Sequence, residues 1–387
     1  MNIDDILFHL GESTPFGGTS ASPPIYQTSN FIFPTLDHMK TALQHEDHIP
    51  FYTRGANPTV QVLQEKIAAL EETEHSLIFA SGSAAITAAI ISQVKAGDHI
   101  VCVSNPYSWT KKLIEGILAK FSVASDFVEA SDTEAILAHV RENTRLIYLE
   151  SPNSWTYEMQ DIEVITTFAK QQGIRTILDN SCASPLYQKP ARYGVDIIVH
   201  SSTKYLSGHA DVVSGVLCTS SDIYLSIFKN EYMTFGAIIS PLEAWLMIRS
   251  LRSLELRMEK VSKNALEVAR FLEKHPKIAQ LFYTHSESFA QPELVEKYLS
   301  GNGGLMTIDL KTNNAHQVEQ FCNTLKRFKL GCSWGGFESL AFPAITTMSS
   351  LNYNKPDTAI NRIRLYVGLE DSGLLIDDLT NALEIID

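Results

Sequence analysis

The stretch "DIIVHSSTKYLSGHADVVSG", residues 196 to 215, ends an apolar run at a lysine, Lys204, set among the hydroxyls of Ser201, Ser202 and Thr203. A lysine beside apolar strand residues either reaches out to solvent or has a depressed pKa that makes its amine a nucleophile. Taken singly, the solvated lysine is the better reading. Asp179 closes "RTILD" in a similar way. A carboxylate after mainly apolar residues is costly to bury unless a cation or hydrogen-bond donor receives it. It can equally be a helix cap. In "FASGSAAIT", residues 79 to 87, small residues end a strand and open a helix, leaving backbone N–H groups for an anion. The plainer reading, a tight turn at Gly82, is equally good for that segment alone. Neither G-x-G-x-x-G nor G-x-x-x-x-G-K-[ST] is present, which disfavours a dinucleotide or a nucleoside triphosphate.

Together the three point to one cofactor, pyridoxal 5′-phosphate. It needs a lysine amine for a Schiff base, an acid beside its ring nitrogen and donors around its phosphate. Lys204, Asp179 and the Gly82 turn supply these, and the hydroxyls of Ser201 and Thr203 flank the lysine.

The elements that must position these residues are short apolar runs: "SLIFAS", "HIVCVS", "RLIYLES", "RTILDNS", "DIIVHSS" and "SGVLCTS". Between them lie helical segments such as "SAAITAAIISQVKAGD" and "DIEVITTFAKQQG". Strands apolar on both faces that alternate with helices predict an α/β fold with a covered, mainly parallel sheet. Ligands of such sheets sit beyond the carboxyl ends of the strands, where this chain is unusually polar. The first 55 or so residues read as an irregular arm. A helix is expected from Asn57 and Pro58, and a long bridging helix from "SPLE", residues 240 to 243, to about Phe271. Further strand and helix patterns close the chain, which gives an arm over 1–55, a cofactor domain over 56–245 and a smaller α/β domain over 246–387.

Hydrophobic residues make up 44% of the 387 and charged residues 19%, an ordinary globular composition. Acids outnumber bases 44 to 31 without a basic block, so nucleic acid and anionic membranes are poor partners. Five scattered cysteines and an acidic N-terminus suit a cytoplasmic protein without a signal peptide. "HEDH", residues 45 to 48, and "HAD", residues 209 to 211, lack a complete metal-ligand set at a known spacing, so no metal is expected.

Nearly the whole chain resembles the pyridoxal-phosphate enzymes of cysteine and methionine metabolism, the cystathionine synthases and lyases. The likeness runs through "SPPIYQTSNFIF", "YTRGANPTVQVLQEKIAALE", "SGSAAIT", "ESP", "LDNS", "HSSTKYLSGHADVVSG", "GGFESL" and "RLYVGLED". It implies the type I, aspartate aminotransferase-like fold, with Lys204 as the Schiff-base lysine and Asp179 as the ring-nitrogen partner. Gly82, Ser83, Ser201 and Thr203 would bind phosphate. Tyr52 and Arg54 would reach the phosphate of a neighbouring subunit, so the site would need at least a dimer, and the family commonly forms tetramers. Tyr107 would stack on the cofactor ring. Arg364 would hold the substrate α-carboxylate, with Arg362 on the same strand face as the next choice.

Departures sharpen the reading. "YSWT" places Trp109 where methionine γ-lyases rely on a cysteine. "NSWTYEMQD" and "SWGGFESL" look most like bacterial cystathionine β-lyases, so Ser154, Ser333 and Trp334 would line the substrate pocket. The N-terminal "SPPIYQTSNF" is closer to the γ-synthases and γ-lyases. The expected activity is β-elimination from cystathionine or a related cysteine conjugate. The alternatives are γ-elimination or γ-replacement, and a catalytically silent binding member of the fold.

Overall fold

The computed structural model describes residues 1–12, 20–348, 350 and 359–387. Strands His75–Phe79 (β1), His99–Val103 (β2), Ala124–Val128 (β3), Thr144–Glu150 (β4), Arg175–Asp179 (β5), Ile197–His200 (β6) and Gly215–Thr219 (β7) build one sheet in the order β1-β7-β6-β5-β4-β2-β3. Neighbours from β3 through β6 run parallel, and β7 runs antiparallel to both β6 and β1. Alternate residues feed two separate cores. Val101, Ile147, Leu178 and Ile198 enter one, while Ile100, Leu146, Ile177 and Ile197 enter the other. Each such side chain contributes about 1.5–3 kcal/mol by burial, so both faces are apolar for a reason of energy.

The sheet is covered and mainly parallel, as the apolar runs predict. β3 escapes sequence reading because it is an edge strand of mixed character, "ASDFV", with only Val128 buried. The arm holds more structure than expected, with helices at Ile3–Phe8 and Leu36–Gln44. Buried Lys66 fastens its start, donating to the carbonyls of Ile6 (2.8 Å) and Leu7 (3.2 Å) and pairing with Glu12 at 2.9 Å.

A second sheet comprises Ile278–Phe282 (β8), Leu305–Leu310 (β9), Lys329–Leu330 (β10), Leu340–Pro343 (β11) and Arg362–Tyr366 (β12), ordered β10-β11-β12-β9-β8. It is antiparallel except for β10 beside β11. A third core lies between it and helices Leu254–Lys274, Ala315–Thr324 and Ser372–Leu383.

The helix after "SPLE" has the expected capping box at Ser240 and Glu243 but is not continuous. It stops at Leu251, and a second helix begins at Leu254. Arg257 explains the break. Its buried guanidinium donates to Ser250 O (3.0 Å), to Ser253 Oγ (3.1 Å) and to Tyr205 O (2.8 Å). The corner is thereby tied to the residue after Lys204.

Candidate active site

β4 and β5 end side by side, with Glu150 opposite Asp179 in the register. Asp179 is buried, and its Oδ1 accepts both from Ser181 N (2.9 Å) and from Ser181 Oγ (2.5 Å). Among the described residues its Oδ2 has no hydrogen bond. Burial raises its pKa, with the Ser181 bonds opposing. Ser181 Oγ also accepts from Ser201 N at 2.7 Å, which links Asp179 to the loop that carries Lys204.

That loop begins where β6 ends and meets residues from beyond the second sheet's β10. Lys204 Nζ donates to Ser333 Oγ at 2.5 Å and stands 5.5 Å from the centroid of the Trp334 ring. Trp334 packs edge-on against Tyr205 at 5.2 Å. Gly335 allows this docking. A Cβ there would lie 2.8 Å from both Cα and C of Lys204, and its φ of +87° is the left-handed region that glycine tolerates. The Lys204 amine is pushed down to about 8, chiefly by burial and next by the charge of Arg364, with Asp179 opposing. Lys204, Asp179, Arg364, Ser333 and Trp334 therefore form one electrostatic neighbourhood.

The helix Gly82–Ile91 opens beside Ser201, and Ser81 caps it by accepting from Ala84 N at 3.1 Å. A Cβ on Gly82 would stand 2.8 Å from Ser201 Cβ and 2.9 Å from its Cα, so only glycine permits this approach. The N–H groups of Gly82 and Ser83 lie in the unsatisfied first turn. The hydroxyls of Ser83 and Ser201 have no hydrogen bond among the described residues. Thr203 differs: its hydroxyl donates to Ser214 O (3.1 Å) and accepts from Ser214 N (3.0 Å). To serve a phosphate it would have to exchange the first of these bonds. The residues fit pyridoxal phosphate: a helix turn closed against Ser201, a buried carboxylate with an open oxygen and a lysine amine of lowered pKa are linked through Ser181 and Ser201.

Arg362 and Arg364 share one face of β12, as alternation predicts, but only one is available. Arg362 is engaged by Asp309 through two bonds of 2.8 and 2.7 Å. Arg364 has no hydrogen bond or ion pair among the described residues. Instead its Cζ lies 5.3 Å from the centroids of both Trp155 and Phe342.

Tyr107 is 40% exposed, and its backbone N donates to Glu150 Oε2 at 2.7 Å. Ser154 donates its hydroxyl to Glu150 Oε1, which ties it to the β4 end beside Asp179. Burial and the neighbouring Asp179 push Glu150 up to about 8. Tyr52 is 43% exposed with Arg54 over its ring at 5.5 Å. Trp109, also exposed, has Lys112 over its ring at 4.9 Å.

Glu150, Ser181 and Trp155 are the site residues that sequence reading passed over. Glu150 opens the polar cluster at the end of β4, and Ser181 directly follows the polar pair Asp179-Asn180 at the end of β5. Trp155 carried a signal as an aromatic residue in a segment that departs from the family pattern. Away from the site, His45, Asp47 and His48 each bring one donor atom within 4.8 Å of the others, two of them on exposed residues. His209 of "HAD" instead bonds Ser207 O (2.7 Å) and Ser250 Oγ (3.0 Å), as scaffold.

The chain is similar to known proteins along nearly their whole length. The chain is 37% identical over 386 residues to L-methionine gamma-lyase of Fusobacterium nucleatum, covering 97% of this chain and 96% of that one. It is 36% identical to cystathionine beta-lyase of Lactococcus lactis, with 98% of each covered. A solved structure titled MetB from Corynebacterium glutamicum superposes with a TM-score of 0.91 at 28% identity, covering 100% of this chain and 99% of that one. A putative O-acetylhomoserine (thiol)-lyase from Campylobacter jejuni, solved with a pyridoxyl-lysine, gives 0.92 at 30% identity, with 99% and 100% covered. Residues 4–384 match the family described as Cys/Met metabolism PLP-dependent enzyme, so the chain belongs to that family of pyridoxal-phosphate-dependent enzymes, with its type I fold.

Proposed function

We propose that the protein is a carbon–sulfur lyase that eliminates the β-thiol of cystathionine or a related cysteine conjugate, releasing thiol, pyruvate and ammonia. The observation that carries the reading is the Lys204 amine, bonded to Ser333 and seated by Trp334, the Ser-Trp pair that resembles bacterial cystathionine β-lyases. The relatives support a carbon–sulfur lyase in general, since both β- and γ-lyases are among them.

When bound, pyridoxal phosphate supplies an electron sink for the charge that develops at the substrate Cα. Asp179 Oδ2 holds a proton at the ring nitrogen, which keeps that sink effective. Gly82, Ser83 and Ser201 would receive the cofactor's phosphate, Tyr107 would pack against the cofactor, and Thr203 braces the loop through Ser214. Arg364 takes the α-carboxylate in a charge-assisted fork. Lys204 Nζ removes the α-proton, and its Ser333 partner orients the amine for that transfer. The leaving thiolate takes its proton from Lys204 Nζ or the Tyr107 hydroxyl.

Tyr52 and Arg54 point to assembly. Both are exposed and contact one another, which suits a role in a second copy's phosphate site and hence a dimer-shared site within a tetramer. A cytoplasmic location suits five free cysteines, and no helix among the described residues is long and apolar enough to cross a membrane.

Incubation with cystathionine followed by identification of the keto acid tests the elimination. Pyruvate is expected. Release of 2-oxobutyrate without pyruvate would assign γ-elimination, which requires a second proton removal at Cβ. Turnover of either kind, lost in Lys204→Ala, excludes a silent member of the fold.

A further inference from the structure

Arg364 is half-buried yet has no anionic partner among the described residues, a costly state for a guanidinium. What it has instead is aromatic. Its Cζ lies 5.3 Å from the Trp155 centroid and 5.3 Å from the Phe342 centroid, and the two rings stand 5.8 Å apart at 43°. The three centres form a nearly equilateral triangle, so the arginine lies across a groove between two touching rings. It is not sandwiched between them, because the rings are too close together to admit it. Phe342 faces Arg364 directly across the β11–β12 pair.

Trp155 comes from the other sheet, in the turn after β4. Its φ of +72° is unusual for a non-glycine residue and is fixed on both sides. Ser154 before it is bonded to Glu150, and Thr156 after it donates from its N to Ser154 O (3.0 Å) and from Oγ1 to Glu158 Oε2 (2.6 Å). The turn thus starts at the carboxylate beside Asp179 and ends under the arginine of the second sheet.

We propose that Trp155 is a positioning residue for substrate: with Phe342 it forms an aromatic platform that seats Arg364 and leaves its fork unengaged for an amino acid's α-carboxylate. The role of Arg364 rests on the function proposed above, whereas the platform does not depend on which bond is broken. Cation–π contact offsets part of the cost of the unpaired charge without occupying an N–H group, which an aspartate would do, as Asp309 does at Arg362.

The test is a spectral titration of the cofactor-loaded protein with L-alanine, which has an amine and a carboxylate but no sulfur to eliminate. Trp155→Leu keeps bulk and removes the π face. Its dissociation constant should rise about tenfold, equal to ~1.4 kcal/mol. Trp155→Phe should stay within about threefold of the parent. Ethylamine, which lacks the carboxylate, should bind all three alike. Unchanged alanine affinity in Trp155→Leu overturns the proposal, and so does an equal loss for alanine and ethylamine, which marks general damage. Phe342→Leu removes the second ring from a regular strand and reads the same contrast if Trp155→Leu does not fold. The keto-acid assay fails or succeeds independently of these affinities, so the two ideas can fall separately.

Discussion

The reaction of the apoprotein with pyridoxal phosphate should report directly on the environment of Lys204. Only a neutral amine attacks an aldehyde carbon. An ordinary lysine with a pKa of 10.5 is neutral in about three molecules per ten thousand at pH 7, whereas one pushed down to about 8 is neutral in about one in ten. Burial is the main cause and Arg364 the second, so roughly 300-fold more nucleophile is present at neutral pH. The assay follows cofactor uptake by stopped-flow absorbance from pH 6 to 10, divided at each pH by the rate for Nα-acetyl-lysine amide to cancel the cofactor's own titration. The ratio should be flat below about pH 8 and then fall about tenfold per unit, because the buried amine is already neutral while the free one keeps gaining. In Arg364→Gln the repelling charge is gone, so the break should move to higher pH. A ratio that stays flat through pH 10 would refute a depressed Lys204.

Three further outcomes follow from the geometry. Arg364→Gln should weaken amino-acid binding by about ten- to a hundredfold, as loss of a charge-assisted bond implies; Arg362→Gln should leave affinity alone but lower the thermal midpoint, because Asp309 loses a bidentate partner. Gly82→Ala places a methyl within 2.9 Å of the Ser201 Cα, so the helix must retreat from the cradle; equilibrium titration should show at least about tenfold weaker cofactor binding, as when one charge-assisted bond is lost. Glu150, raised to about 8 from 4.5, keeps a proton in the folded apoprotein that the unfolded chain has released, so stability from this group is full below pH 4.5 and is lost as pH rises through about 8. Apoprotein thermal midpoints from pH 5 to 8 should fall less steeply in Glu150→Gln, and equal slopes would count against the raised pKa.

The fold was legible where burial leaves a continuous mark. β2, β6 and β7 are buried at every position, and each is an apolar run with a polar residue only at one end. β3 and β10 lie at sheet edges and carry polar residues, so neither offers an apolar run to read. The break at residues 252 and 253 was hidden for another reason. It depends on Arg257 reaching Tyr205, a contact 52 residues apart in sequence, while the local pattern is helical throughout.

The site divides along the same line. Lys204, Asp179, Gly82 and Ser201 stand at or just past strand ends, so the sequence pattern alone could nominate them. What sequence cannot weigh is competition for a group by a distant partner. Alternation set Arg362 and Arg364 as equals on one face, and only Asp309, 53 residues from Arg362 and bonded to it, leaves Arg364 as the available cation. The same competition bears on the hydroxyls. Thr203 is bonded to Ser214 and Ser154 donates to Glu150, whereas the Ser201 hydroxyl has no hydrogen bond among the described residues. A motif therefore nominates residue types, and the unspent hydrogen-bonding capacity of each atom decides which of them can meet a ligand.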